Sequence, residues 1–355
     1  MEEEKQIKNA QEQCPSCGGR LRYSPEAGAL KCEFCEKVVP IERLEKHEKH
    51  DYIVSKKKEE QHDSYATQSK VFKCSSCGSN IVLNALEVSA TCPYCNSPCV
   101  IDQSVDIGLK PDYIIPFKFS TEQVKELYKK GMRKKWFIPN VFKKSPPMDQ
   151  IKGIYIPTFA FDAHSESDYD GTLAEDYTTT DSEGRSHRHT RHFDISGHIA
   201  LNHKDVMVET STHIDQRRFD ALKPFNTAEG VEYKPQFILG YSVEHYDKSL
   251  ADCKTMADNI MEKIIKNTVL SRYTYDRVDS YNQKTQFSNE KYAYYIVPTY
   301  RFNYKYKNKD YTTFMNGQTG KVGMGVPKSP VKITLFVLMI LLILGGLIAL
   351  FVLTD

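Results

Sequence analysis

From about residue 110 the hydrophobic and polar positions take on regular periods that define successive elements. Tyr113-Ile114-Ile115-Pro116-Phe117-Lys118-Phe119 reads as a strand. Ser120 then offers an N-cap, and Val124, Leu127, Tyr128 and Met132 recur at helical spacing. Beyond a loop carrying Pro139, Pro146 and Pro147, the pattern predicts strands at 153–163, 167–178, 188–200 and 204–212, with Gly, Asp and Asn between them.

A related order then returns. Phe237-Ile238-Leu239-Gly240-Tyr241 precedes an amphipathic helix with Leu250, Cys253, Met256, Ala257, Ile260, Met261, Ile264 and Ile265 on one face. Cys253, on that apolar face, reads as a core residue. The string Tyr294-Tyr295-Ile296-Val297-Pro298-Thr299-Tyr300-Arg301-Phe302 echoes Gly153-Ile154-Tyr155-Ile156-Pro157-Thr158-Phe159-Ala160-Phe161. This predicts an α+β body rich in antiparallel strands, built from two copies of one unit over 110–230 and 231–327. The alternative is that such strings recur because strand starts accept Pro.

Ile333–Leu353 is twenty-one residues without a charge. At about 1.5 Å per residue it spans roughly 30 Å, the thickness of a bilayer's hydrocarbon core. Lys321, Lys328 and Lys332 precede it and only Thr354 and Asp355 follow. The positive-inside rule predicts a single-pass membrane protein with the bulk of the chain cytoplasmic. The charged start, Met1-Glu2-Glu3-Glu4-Lys5, predicts no secretory signal and a reducing compartment. Gly345-Gly346 leaves close helix contact, and so a homo-oligomer, open.

Nine of the ten cysteines lie before residue 100. Cys14-Pro-Ser-Cys17 and Cys32-Glu-Phe-Cys35 stand fourteen residues apart, and Cys74-Ser-Ser-Cys77 and Cys92-Pro-Tyr-Cys95 repeat that spacing sixty positions later. A CxxC turn presents two sulfurs to one point, and a hairpin-sized spacer brings the second pair opposite. The pattern predicts two four-cysteine zinc ribbons, over 1–40 and 71–104, joined by a charged linker or helix over 41–70. Gly18 and Gly78 follow their knuckles, where positive φ helps the turn close; Asn96 follows the fourth ligand of the second site. Four thiolates leave no open coordination position, so the two Zn2+ ions are expected to be structural. Cys99 is a fifth sulfur near the second set, but the match to the first module favours Cys92 and Cys95.

His187, His189, His192, His198 and His203 lie among Arg185, Arg188 and Arg191. No Cys, Asp or Glu completes a ligand set at a firm spacing, and a polar hairpin with solvated histidines is the favoured reading. The run also suits acidic lipid head groups or an acidic partner. No P-loop, HExxH, GxSxG or dinucleotide-binding pattern occurs in the needed context, and no enzyme is expected. Net charge is +2, and residues 14–49 carry seven Lys/Arg against six Asp/Glu. That near-neutral balance argues against nucleic acid as the partner.

The chain resembles a bacterial family of membrane-bound proteins labelled TFIIB-type zinc-ribbon-containing, or primosomal protein N′-like after a helicase. The resemblance rests on the CxxC pairs, the Ile-Pro-aromatic strands, Leu222-Lys223-Pro224-Phe225, Pro235 to Glu244, Asn316-Gly317-Gln318-Thr319-Gly320 and the terminal span. The helicase label does not suit a chain without a nucleotide-binding motif. Some relatives are encoded near envelope-stress proteins. The resemblance therefore implies a scaffold that recruits cytosolic or membrane protein partners to the inner face of the cytoplasmic membrane. Nucleic-acid binding beside the membrane is the alternative.

Overall fold

The computed structural model describes residues 14–41, 48–53, 55, 70–73, 80–83, 89–91, 98–100, 111–144, 151–210, 214–244, 248–323 and 325–354. It is a mixed α+β structure. Strands β1 (Leu21–Ser24), β2 (Ala29–Cys32) and β3 (Val38–Val39) form a small antiparallel sheet in that order. β4 (His50–Asp51) joins the main sheet. β5 (Lys70–Lys73) pairs with β6 (Asn80–Leu83), and β7 (Ser89–Thr91) with β8 (Pro98–Val100).

The body is built around two strands of thirty residues each, β10 (Ile151–Thr180) and β14 (Arg277–Tyr306), which pair antiparallel. β10 turns back into β11 (Ser186–Glu209), and β14 into β15 (Lys309–Asn316). The expected strands 153–163 and 167–178 are thus one strand, and those at 188–200 and 204–212 likewise run together as one strand that ends at Glu209. The residues expected to break them pair in register, His164 with Asn202, Ser165 with Leu201 and Glu166 with Ala200, and the irregularity lies just before them. The β10–β11 register shifts between Phe161 and Ala163, and Asp205 takes φ +51° opposite. The Asp205 N–H donates to Asp162, and Lys49 bridges both carboxylates at 2.7 and 2.6 Å. A bulge bends a strand without ending it.

The echo seen in the sequence has a geometric counterpart. β9 (Tyr113–Ile114) runs parallel to β14 at Tyr295 and Ile296 and antiparallel to β12 (Val231–Glu232), and β13 (Ser242–Val243) runs parallel to β10 at Ile154 and Tyr155. The Ile115 N–H then donates to Ile296 O, and the Glu244 N–H to Tyr155 O. Each short strand leads to a serine-capped helix, α1 (Thr121–Arg133) after Ser120 and α3 (Leu250–Leu270) after Ser249. At Ser120 the side chain accepts from the Gln123 N–H while Gln123 accepts from the Ser120 N–H, a capping box. The hairpins also begin alike, with Thr158 opposite Glu209 and Thr299 opposite Asn316.

The run Ile154–Phe161 is buried without a break because the sheet is covered on both faces. Phe117, Tyr128, Tyr155, Phe159, Phe161 and Phe302 fill one side; Ile115, Ile156, Phe219, Leu222 and Val297 fill the other. Further along, β10, β11 and β14 continue as a three-stranded arm. There α3 packs Ile265, Val269 and Leu270 onto Tyr169, Leu173, Ile195 and Ile199. Of the expected apolar face of α3, Leu250, Cys253, Ala257, Met261 and Ile265 are buried, whereas Ile264 is exposed. Lys254 is buried too, paired with Asp258 and Glu290 and lying over the rings of Tyr52 and Phe287.

A short helix, α2 (Gln216–Leu222), caps one face, and α4 (Pro330–Thr354) ends the chain. α4 is long and apolar enough to cross a membrane, and its Leu335, Leu338, Leu341 and Leu342 all face outward.

Candidate metal centre

The first cysteine module is two knuckles held face to face. In one, the Gly18 N–H donates to Cys14 O and the Cys14 N–H to Gly19 O; in the other, the Glu36 N–H donates to Cys32 O and the Cys32 N–H to Lys37 O. The residue after each second cysteine is left-handed, Gly18 at φ +69° and Glu36 at φ +59°. The sequence singled out Gly18 for this role; Glu36 performs it in the facing knuckle without glycine's freedom.

The sulfurs of Cys14, Cys17, Cys32 and Cys35 lie within 4.8 Å of one another. Cys14 and Cys35 approach to 3.4 Å, and Cys17 and Cys32 to 3.5 Å. Four sulfurs about 2.3 Å from a tetrahedral zinc stand roughly 3.8 Å apart, so the cluster has the right size to close on one ion. None of the four forms a disulfide, and Cys14 and Cys32 are buried while Cys17 and Cys35 are exposed.

The four sulfurs also set one another's protonation. The Ser16 N–H pulls the Cys14 thiol down to about 6, and the Cys35 N–H lowers Cys32 in the same way. For Cys17 the Gly19 N–H pulls downward, but the sulfurs of Cys35 and Cys32 prevail and push it up to about 12. Four negative sulfurs this close repel one another until a positive ion sits among them.

Gly19 has a role that spacing alone does not reveal. A Cβ there would lie 2.5 Å from Phe34 Cδ2 and 3.2 Å from both Cys17 Sγ and Cys32 Sγ. Around the centre, Lys37 Nζ donates to Ser16 Oγ and ties the knuckles together, and Arg22 pairs with Glu33 at 2.6 Å. Phe34, between the cysteines of the second knuckle, is 72% exposed.

The module shares its core with the body. Leu21, Tyr23, Leu30, Cys14 and Cys32 belong to the same apolar cluster as Phe237, Ile238 and Leu239. The Tyr23 N–H donates to Leu239 O, Tyr23 packs on Phe237 at 5.6 Å, and Gly240 lies against Arg22. The stretch from Pro235 to Glu244 is therefore the seat of the cysteine module.

Two further sequence motifs hold each other. Asn316 Nδ2 donates to both Leu222 O and Pro224 O, while Asn316 Oδ1 accepts from the N–H groups of Gln318 and Thr319. Gln318 exchanges hydrogen bonds with the Asn226 backbone in both directions. Burial of these polar groups with full pairing makes the junction a structural lock.

Cys74, Cys77, Cys92 and Cys95 lie outside the described residues. Nearby, β6, β7 and β8 stand close to sixty positions after β1, β2 and β3, and Cys99 falls in β8 opposite Ala90.

The histidines on β11 are not brought together. His187 reaches Asp181, His189 reaches Thr179, His192 reaches Asp279 and His198 reaches Asp168, all on exposed sites. His203 departs from the expected solvated set: it is buried against Ser165 Oγ at 2.9 Å, and burial, then His164, lowers its pKa. Among the described residues, the four N-terminal cysteines are the group of three or more ligating side chains close enough for a metal ion.

No family model matches the chain, and no solved structure matches it. The sequence is similar to a Bacillus subtilis (strain 168) protein named uncharacterized protein YdjG. The two are 24% identical over 327 residues, covering 90% of this chain and 89% of that protein. The likeness thus extends well beyond the cysteine modules.

Proposed function

We propose that the protein is a membrane-anchored zinc-ribbon adaptor, which recruits protein partners to the inner face of the cytoplasmic membrane. Cys14, Cys17, Cys32 and Cys35 hold a structural Zn2+ in this reading, and Cys74, Cys77, Cys92 and Cys95 hold a second. Lys321, Lys328 and Lys332 ahead of the apolar run favour a cytosolic body with α4 in the bilayer. The single observation that carries the reading is Phe34. It projects from a closed four-sulfur knuckle whose base is fused to the body that bears α4. An exposed aromatic on a rigid support loses little freedom on binding, and aromatic anchors are typical of interface hot spots.

The test is a photo-crosslinking amino acid at position 34 of the full-length chain in intact membranes, with position 177 on the exposed arm as control. Protein adducts at 34 that disappear when Cys14 and Cys17 are replaced by serine are expected. Adducts to nucleic acid, or equal labelling from both positions, would overturn the reading. Elemental analysis of the untagged protein is expected to give two zinc ions per chain.

A further inference from the structure

The body and α4 meet at a polar and aromatic joint. The Ser329 N–H donates to Phe137 O at 2.6 Å. Lys332 Nζ donates to Ile138 O and Asn140 Oδ1 at 2.8 and 2.7 Å, and Phe137 packs edge-on against Phe336 at 5.2 Å. Beside this joint is a notch of about 290 Å3 lined by Trp136, Lys143, Lys332, Leu335, Phe336 and Met339.

Its chemistry is divided. Its lining includes two amines, Lys143 and Lys332, and no acidic side chain. Among the described residues no carboxylate pairs with either lysine. The segment 129–144 that supplies the body's share holds seven Lys/Arg and no Asp or Glu. The rest of the lining is apolar, with Trp136 69% exposed although Phe137 and Ile138 beside it are packed. Trp136 is the one tryptophan of the chain.

We propose that this notch binds the head group of an anionic phospholipid from the bilayer that holds α4. Lys143 and Lys332 would face the phosphate and its extra negative group, while Trp136, Leu335, Phe336 and Met339 flank the first part of an acyl chain. This rests on α4 spanning the membrane.

The position favours a lipid over other occupants. The uncharged run begins at Ile333, so Lys332 and Trp136 stand at the level of the head groups, where tryptophan and lysine both settle. A soluble anion would satisfy the amines but leave the apolar wall wet. A zwitterionic lipid would bring its own cation toward two lysines that already repel each other. An anionic lipid matches both the amines and the apolar side chains of the lining, and basic residues beside a span draw such lipids.

Trp136 also supplies the readout. Full-length protein is reconstituted in phosphatidylcholine bilayers, with brominated acyl chains placed either on phosphatidylglycerol or on phosphatidylcholine at equal mole fraction. Quenching of Trp136 by the brominated phosphatidylglycerol is expected to exceed that by the brominated phosphatidylcholine about twofold. K143Q/K332Q should remove the excess, and K143R/K332R, which keeps both charges and guards against misfolding, should retain it. Equal quenching by both lipids in protein that floats with the vesicles would reject the head-group site and leave the span intact. Failure to float with vesicles would reject the span and the site with it.

Discussion

Ile156 lies directly opposite Val297 near one end of the β10–β14 ladder, and each is the residue before a proline. About that pair Pro157 faces Ile296 as Pro298 faces Tyr155, so the two strands exchange places by a half-turn. The exchange extends outward, since β9 lies on β14 where β13 lies on β10. The short strand ahead of each long one thus pairs with the other long strand, β9 with β14 and β13 with β10. The prolines sit where one partner strand gives way to the next, β13 to β11 at Pro157 and β9 to β15 at Pro298, which is where a missing N–H costs least.

Gly19 is the most constrained backbone position beside the sulfur cluster. G19A drives a methyl into Phe34 and toward two ligand sulfurs. Zinc content of G19A, measured on purified protein, is expected to fall well below that of the unaltered chain. Gly18, where a Cβ meets nothing within 4 Å, should lose mainly conformational ease: G18A is expected to keep its metal while losing about 1 kcal/mol of stability.

Glu36 is the counterpart of Gly18 but carries the left-handed penalty. E36G is expected to raise stability by up to about 1 kcal/mol, less the small loss of its exposed contact with Lys31. A chelator titration checks this, with the midpoint for metal loss moving to higher chelator in E36G. An unchanged or lowered midpoint would refute the account of Glu36.

Asn316 is fully buried and serves two carbonyls and two N–H groups at once. N316A leaves these groups unpaired in a dry setting, and the loss is expected to reach about 3 kcal/mol or more. Denaturant unfolding of the full-length protein in detergent measures it. N316D should not rescue, because it keeps the acceptors and loses the two donors.

Lys254 stands between Asp258 and Glu290, and desolvation raises the Asp258 pKa even with Lys254 beside it. A carboxyl whose folded pKa is raised favours folding most below its unfolded value near 4, and that contribution is lost as pH rises through the folded pKa. K254M removes the compensating charge and raises the folded pKa further. It is expected to cost about 2–3 kcal/mol at neutral pH, discounted for the partial exposure of Asp258, and much less near pH 4. A pH-independent loss would show that packing over Tyr52 and Phe287 matters more than charge.

What the sequence revealed was mostly local. Ser120 with Gln123, and the apolar spacing of Val124, Tyr128 and Met132, carry their own hydrogen bonds and period, so α1 could be read directly. The cysteine spacing likewise contains its own geometry. The gaps expected at 164–166 and 201–203 were misread because polar residues within a long, half-exposed strand look like those between strands, and the Asp162–Lys49–Asp205 bridge was out of sight because Lys49 is far away in the chain. Lys254 was invisible for a similar reason: its neighbours at 52, 287 and 290 come from other elements. Glu36 and Gly19 depended on φ and on a Cβ approach, which composition does not encode.

Tyr23 finds its backbone partner in Leu239, most of the chain away. During synthesis the knuckles leave the ribosome long before that partner exists, and in the interval an ion held by the four cysteines, as proposed, would be what keeps Leu21, Tyr23 and Leu30 from wandering. Scarcity of the ion would then be felt as a failure of the entire polypeptide to mature, with sticky aromatic surfaces left open to proteolysis.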